Sequence, residues 1–179
     1  ELGGMGNFVY FIGDKKSKEI AIVDPAWEHQ KIINKVVDQG LKVKAILLTH
    51  GHYDHSTGAE DLAEHFKVKA YIAEAELGVF TPNGPNMVEV KDGFKLKVGG
   101  IEIKFISTPG HTPGSVCFLA DNVLLTGDTL FIDACGRYDL PGGSSHSLVH
   151  SLHQIIGALP DDTLIYPGHN YGHIPYDSL

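Results

Sequence analysis

The run Thr49-His50-Gly51-His52-Tyr53-Asp54-His55 constrains this chain more than any other feature. It sets three imidazoles and a carboxylate within six positions, directly after the apolar run Val43 to Leu48. Imidazole and carboxylate are the ligands that zinc, iron and manganese favour, and four donors in one short loop exceed what a single tetrahedral ion ordinarily takes from one segment. An apolar run that ends in polar donors is the pattern of a buried strand whose carboxyl end opens on a cleft, where open α/β sheets bind their ligands. The loop therefore reads as the nucleus of a metal centre rather than a row of solvated histidines.

The flanking sequence supplies the scaffold. Phe8 to Ile12 and Glu19 to Val23 are β-branched and aromatic runs around the polar turn Gly13 to Ser17, which predicts an antiparallel hairpin stopped by Asp24-Pro25. An amphipathic helix is expected from Glu28 to Gln39, with Ile32, Ile33, Val36 and Val37 on one face and Gly40 as its C-cap. After the His-rich loop, Ala59, Leu62, Ala63 and Phe66 recur at helical spacing, and Val68 to Ala73 reads as a strand. This β-α-β-α alternation favours helices packed on a partly parallel sheet. Glu74 to Pro85 reads as a short helical stretch and then a Pro/Gly loop over Thr81 to Pro85. The second half returns to strands: Phe94 to Val98 and Ile101 to Ile106 around Gly99-Gly100, then Val116 to Leu119 and Val123 to Leu125. Ser144 to Leu159 is expected to be helical, with the stripe Leu148, Leu152, Ile155 and Leu159 facing inward.

Three further loops each present one candidate ligand: His111 in Thr-Pro-Gly-His, Asp128 in Thr-Gly-Asp-Thr and His169 in Tyr-Pro-Gly-His. Proline and glycine stiffen two of these approaches and so fix where the ligand points. Together with His50, His52, Asp54 and His55 they make seven candidate ligands, more than one tetrahedral ion can use. Two divalent ions sharing one carboxylate, about 3.5–4 Å apart with a water or hydroxide between them, can use them all.

Composition limits the alternatives. A chain of 179 residues suits one domain, and a net charge of −8 without a Lys/Arg cluster argues against a nucleic-acid partner. No apolar run approaches the roughly 20 residues of a membrane span, and no signal-peptide pattern opens the chain, so neither a membrane partner nor export is expected. Cys117 and Cys135 do not form a disulfide framework, which fits a reducing cytoplasmic setting. A homo-oligomer is compatible with the sequence.

His50-x-His52-x-Asp54-His55 with His111, Asp128 and His169 resembles the metal signature of the metallo-β-lactamase superfamily. The resemblance implies an αβ/βα sandwich: two mixed sheets face to face, helices outside, metals at one edge. It also implies that His50, His52 and His111 bind a first ion, that Asp54, His55 and His169 bind a second, and that Asp128 bridges. Thr126 to Phe131 through Ala134 to Arg137, with Tyr166 to Gly172, is similar to the glyoxalase II-like group, and Gly136 to Gly143 to its small single-domain branch. Those enzymes hydrolyse glutathione thioesters such as S-lactoylglutathione, so the resemblance implies a small-molecule thiol conjugate as partner. Their larger members add a C-terminal helical domain that helps hold glutathione. A single domain over residues 1–179 without that addition is expected here, with the natural termini left open.

The resemblance further implies two zinc ions, or iron or manganese in their place. A metal-bridging hydroxide would attack the thioester, with Asp54 orienting it and Arg137, Tyr138 and Tyr171 at the substrate pocket. A thiolate leaves without a strong general acid, whereas an amide nitrogen would need one. Two other readings remain: a mononuclear-iron persulfide dioxygenase using His50, His111 and Asp128, and a non-catalytic metal-stabilised binding domain. Cys135 lacks a dedicated base and is not read as a nucleophile. His146, His150 and His153 fall on a solvated helix face, and His29, His65 and His173 are expected at the surface.

Overall fold

In Glu19–Val23 (β2) and Lys42–Leu47 (β3) nearly every inner position is apolar, so these strands must be covered on both faces. The computed structural model, which describes residues 1–76 and 84–179, meets that demand with two facing sheets and outer helices. Tyr10–Asp14 (β1) pairs antiparallel with β2, and β2, β3, Lys69–Ala73 (β4) and Met87–Val90 (β5) follow in parallel. The second sheet begins with Lys95–Val98 (β6), Ile101–Ser107 (β7), Val116–Ala120 (β8) and Val123–Gly127 (β9), all antiparallel neighbours. Beyond β9 lie Leu164–Pro167 (β12), which runs parallel to it, and the short Asp177–Ser178 (β13). A small ribbon of Leu130–Phe131 (β10) and Ala134–Cys135 (β11) stands apart.

Side chains of alternate parity divide between the layers. Ala21, Val23, Ala45 and Leu47 point inward and meet Ile103, Phe105, Val116 and Phe118 of the second sheet. Ile20, Ile22 and Ile46 point outward and are covered by His29–Asp38 (α1) and Ala59–Phe66 (α3) through Ile32, Val36, Ala59, Leu62 and Ala63. The other outer face, Cys117, Leu124 and Ile165, is covered by the helical segment that starts with Ser145–His150 (α4). The result is the αβ/βα sandwich of two mixed sheets.

The expected elements are present, with local differences that have physical causes. Gly40, at φ 60°, closes α1: its N–H and that of Leu41 donate to the Val37 and Val36 carbonyls. Val37 was expected on the buried face but is 68% exposed, because α1 presents only a narrow stripe to the sheet. The 144–159 segment does not stay α-helical. Residues Ser151–Ile155 form a π-helical turn and Ile156–Ala158 a 3₁₀ turn, so the inward face passes from Ser151 to Ile156, the five-residue step of the wider turn. Ser151 and Ile156 are buried in place of Leu152 and Ile155, which are half-buried. His29 is half-buried beside Asp61 rather than at the surface, while His146, His150 and His153 are exposed. Strand β5 carries no expectation from the sequence. The stretch after Glu74–Glu76, a 3₁₀ turn, lies outside the described residues as far as Asn83, and with it most of the loop expected over Thr81 to Pro85. Among the described residues no helix is long and apolar enough to cross a membrane.

Phe118 is fully buried and meets Phe105 edge-on at 4.7 Å between the sheets. Phe118→Ala is expected to lower unfolding free energy by about 3–5 kcal/mol, and Val37→Ala to change it by no more than about 0.5 kcal/mol. Urea denaturation at unchanged m-value checks both.

Candidate metal centre

Strands β7, β9 and β12 share one direction in the second sheet, and their carboxyl ends therefore reach the same edge. From those ends hang the loops of His111, Asp128 and His169, while the 49–55 loop hangs from the end of β3 in the facing sheet. The sheets are stitched there: Val116 donates its N–H to the Thr49 carbonyl, and Gly127, at φ 50°, lies against Thr49 where a Cβ would fall 2.6 Å from the side chain. Tyr53–Ser56 (α2) is a single turn that carries Asp54 and His55 inward.

All seven candidate ligands converge at this edge. The nitrogens of His50, His52 and His111 form one trio: His52 Nδ1 lies 3.0 Å from His50 Nε2 and 2.9 Å from His111 Nε2. Asp54, His55 and His169 form another, with His55 Nε2 and His169 Nε2 3.1 Å apart and Asp54 Oδ2 3.5 and 3.4 Å from them. Asp128 stands between the trios, its Oδ1 3.4 Å from His55 Nε2 and its Oδ2 3.6 Å from His111 Nε2 and 3.3 Å from His169 Nε2.

The outer partners decide which ring atoms face inward. His55 Nδ1 donates to Asp24 Oδ2 (3.0 Å), His111 Nδ1 to the Arg137 carbonyl (2.7 Å) and His169 Nδ1 to the Met5 carbonyl (3.0 Å). His50 Nδ1 donates to Thr49 Oγ1 (3.0 Å), whose own proton goes to Asp24 Oδ2 (2.6 Å). With the Thr49 proton committed to Asp24, each outer partner acts as an acceptor and makes Nδ1 the donor, which turns four Nε2 atoms into the cluster. Imidazole nitrogens about 3 Å apart need a proton or a metal cation between them. A tetrahedral ion with bonds of about 2.0–2.1 Å would set its ligand atoms about 3.3 Å apart, close to what is found. Asp128 Oδ1, buried and without a hydrogen bond among the described residues, completes the fit. Each trio suits a divalent ion.

A model of the metallo-beta-lactamase superfamily matches residues 2–169. The chain belongs to this superfamily. It is 38% identical over 94% of its length to a probable polyketide biosynthesis zinc-dependent hydrolase, BaeB, of Bacillus velezensis, covering 75% of that protein. It is 36% identical over 94% of its length to a probable hydroxyacylglutathione hydrolase, glo2, of Schizosaccharomyces pombe, covering 66% of it. Among solved structures, ETHE1 from Myxococcus xanthus superposes with a TM-score of 0.87 at 30% identity, over 97% of this chain and 75% of that one.

In this member of the superfamily the floor of the site opens into a cavity of about 600 Å³. His52, Asp54, His111, Asp128 and His169 lie at its base, and Met5, Phe131, Leu140, Pro141 and Tyr171 give it apolar walls. Tyr171 stacks on His169 with ring centroids 4.6 Å apart. Arg137 lines the cavity and is held by Asp139 through two 2.8 Å contacts, so it is at once a wall and half of an exposed ion pair. Cys135 also lines it. Tyr138 is 52% exposed and is not among the lining residues.

Three buried partners of the site went unread in the sequence. Asp24, taken only as a strand stop, accepts from Thr49 and His55; a carboxylate at the carboxyl end of β2, beside the metal loop's strand, was the available signal. Glu76 accepts from the Gly51 and Gly114 N–H groups and from Thr112 Oγ1, tying the His50–His52 loop to the His111 loop. Asn7 donates to Asp54. For these last two nothing local in the sequence marked them.

Charge differs between the trios in the metal-free state. Burial holds His50 well below its ordinary pKa, and burial with His111 nearby lowers His52 to about 4. Burial opposes charge on His55 too, but Asp128, Asp24 and Asp54 outweigh it and raise the pKa to about 9; His169 is raised by Asp128 against burial. Burial likewise opposes charge on Asp128, yet His55 and His169 keep it far below the usual carboxylate range. His55 thus carries a second proton at neutral pH, stabilising the metal-free fold fully below its unfolded pKa of about 6.5 and ceasing to do so as pH rises through about 9. The metal-free protein is expected to lose stability across that window in urea titrations at stepped pH. Ion uptake by the Asp54/His55/His169 trio is expected to release that proton below pH 9, read by calorimetry in buffers of differing ionisation enthalpy.

Proposed function

We propose that this metal-dependent hydrolase of the metallo-beta-lactamase superfamily holds two divalent ions, both zinc, and cleaves a thioester, with a glutathione thioester such as S-lactoylglutathione as substrate. The observation that carries the reading is the pair of ligand trios, with Asp128 between them, at the base of an open cavity large enough for a thiol conjugate. The names of the Bacillus and Schizosaccharomyces relatives, a zinc-dependent hydrolase and a hydroxyacylglutathione hydrolase, support it.

Two divalent ions held there would supply Lewis acidity toward the substrate carbonyl and make a water acidic enough to attack near neutral pH. Asp128 stays anionic among the imidazoles and so can face both trios with its two oxygens. Asp54, its Oδ2 turned toward His55 and His169 at the cavity floor, would orient the attacking water. Four histidines with fixed tautomers keep their lone pairs on the centre and need no reorganisation during the reaction. The apolar walls would lie against the acyl group. A thiolate of pKa about 8.5 departs without a proton donor, which suits a site whose one lining guanidinium is already fastened to Asp139. Arg137 and Tyr171 are assigned to the thiol portion of the substrate, with Tyr138 on the outer rim.

Protein purified anaerobically is expected to carry two zinc ions per chain, to hydrolyse S-lactoylglutathione, and to consume no O₂ with glutathione persulfide. Asp54→Ala is expected to lower kcat by about 10²-fold or more. One iron per chain with O₂ uptake on the persulfide would sink the hydrolytic reading in favour of an oxygenase.

A further inference from the structure

The two trios share Asp24, which accepts from Thr49 and from His55, and are otherwise supported from different parts of the chain. The His50, His52 and His111 loops are tied to the interior by Thr49, Asp24 and Glu76. Two of the three ligands of the other trio are instead held by the N-terminal segment. Asn7 Nδ2 donates to Asp54 Oδ2 (3.1 Å) and to the Asp54 carbonyl (2.9 Å), and the Met5 carbonyl receives the His169 Nδ1 proton. The segment is laced to the His169 loop on both sides, by Phe8 N–H to the Gly168 carbonyl and Asn170 N–H to the Gly6 carbonyl.

Asn7 is 2% exposed, so its amide orientation matters and must be set by protein partners. Trp27 sets it. Its indole N–H, a donor only, gives its hydrogen to Asn7 Oδ1 (3.1 Å), which turns the NH₂ toward Asp54. That contact falls on Oδ2, the same carboxylate oxygen that faces His55 and His169. An oxygen so held keeps one lone-pair direction for the cluster and cannot rotate away from it.

We infer that Asn7, oriented by Trp27, is the positioning residue for the second ion, so that the N-terminal segment determines whether the protein holds one ion or two. The inference rests on the two-ion reading above. It is not a statement about Asn7 touching substrate; Asn7 acts through Asp54.

The test is a competitive chelator titration with zinc on the full chain, which separates the two stoichiometric steps, run on wild type, Asn7→Ala and Trp27→Phe. Asn7→Ala is expected to weaken the second step by about 10–100-fold, the range for loss of a group that orients a metal ligand, and to leave the first step unchanged. Trp27→Phe keeps a ring against Tyr53 but lacks the N–H, and is expected to shift the second step in the same direction by less. Glu76→Gln serves as the reciprocal control and is expected to weaken the first step preferentially. Equal weakening of both steps by Asn7→Ala, or no change in either, overturns the inference while leaving the two-ion reading intact. If Asn7→Ala does not fold, Trp27→Phe carries the same test with the same two outcomes. A wild-type protein that takes up one zinc overturns both readings together.

Discussion

Imidazole nitrogens that face one another at about 3 Å are the constraint on which this structure depends. Four of the rings have their outer nitrogen committed to an acceptor, so their Nε2 atoms converge on one another, and a proton or a cation must lie among them. The arrangement is held because rigid elements on two sheets meet at one edge. Asp24, Asp54 and Asp128 bring buried negative charge to the same place, which is costly alone and tolerable only beside cations or strong donors. The sandwich provides the rigidity; the ligand loops provide the donors that suit a divalent ion.

The two halves of the centre are not equivalent. Neutral His50 and His52 face a proton-bearing His55, a difference produced by the uneven placement of Asp24 and Asp128 around rings of the same type. The mechanical supports differ as well: loops tied within the interior on one side, a terminal segment on the other. Ordering the two trios draws on partly different parts of the fold, with Asp24 common to both.

Much of the scaffold could be read locally. The unbroken apolar run of Ile20 to Val23 marks a strand covered on both faces, and the spacing of Ala59, Leu62, Ala63 and Phe66 is the periodicity of an amphipathic helix, so both survive without tertiary information. Val37 and the Leu152/Ile155 stripe escaped for the opposite reason. How wide a face a helix buries, and where a π-helical turn rotates it, is decided by the partner surface and not by the helix sequence. The edge strand Met87–Val90 is short, and its pairing with Lys69–Ala73 supplies order that its own four residues do not encode.

The sequence by itself determined the chemistry of the centre: which side chains offer lone pairs, that seven of them exceed one ion, and that stiff Pro/Gly turns would present them singly at strand ends. Ligand type and spacing are local properties and need no fold to be recognised. Tertiary structure alone decided how those ligands are held. Asp24, Glu76 and Asn7 act across 25 to 47 residues of chain, through hydrogen bonds that exist only once two sheets and a terminal segment have closed on the same edge. A buried donor or acceptor takes its role from the neighbour it meets, and the neighbour is chosen by the fold.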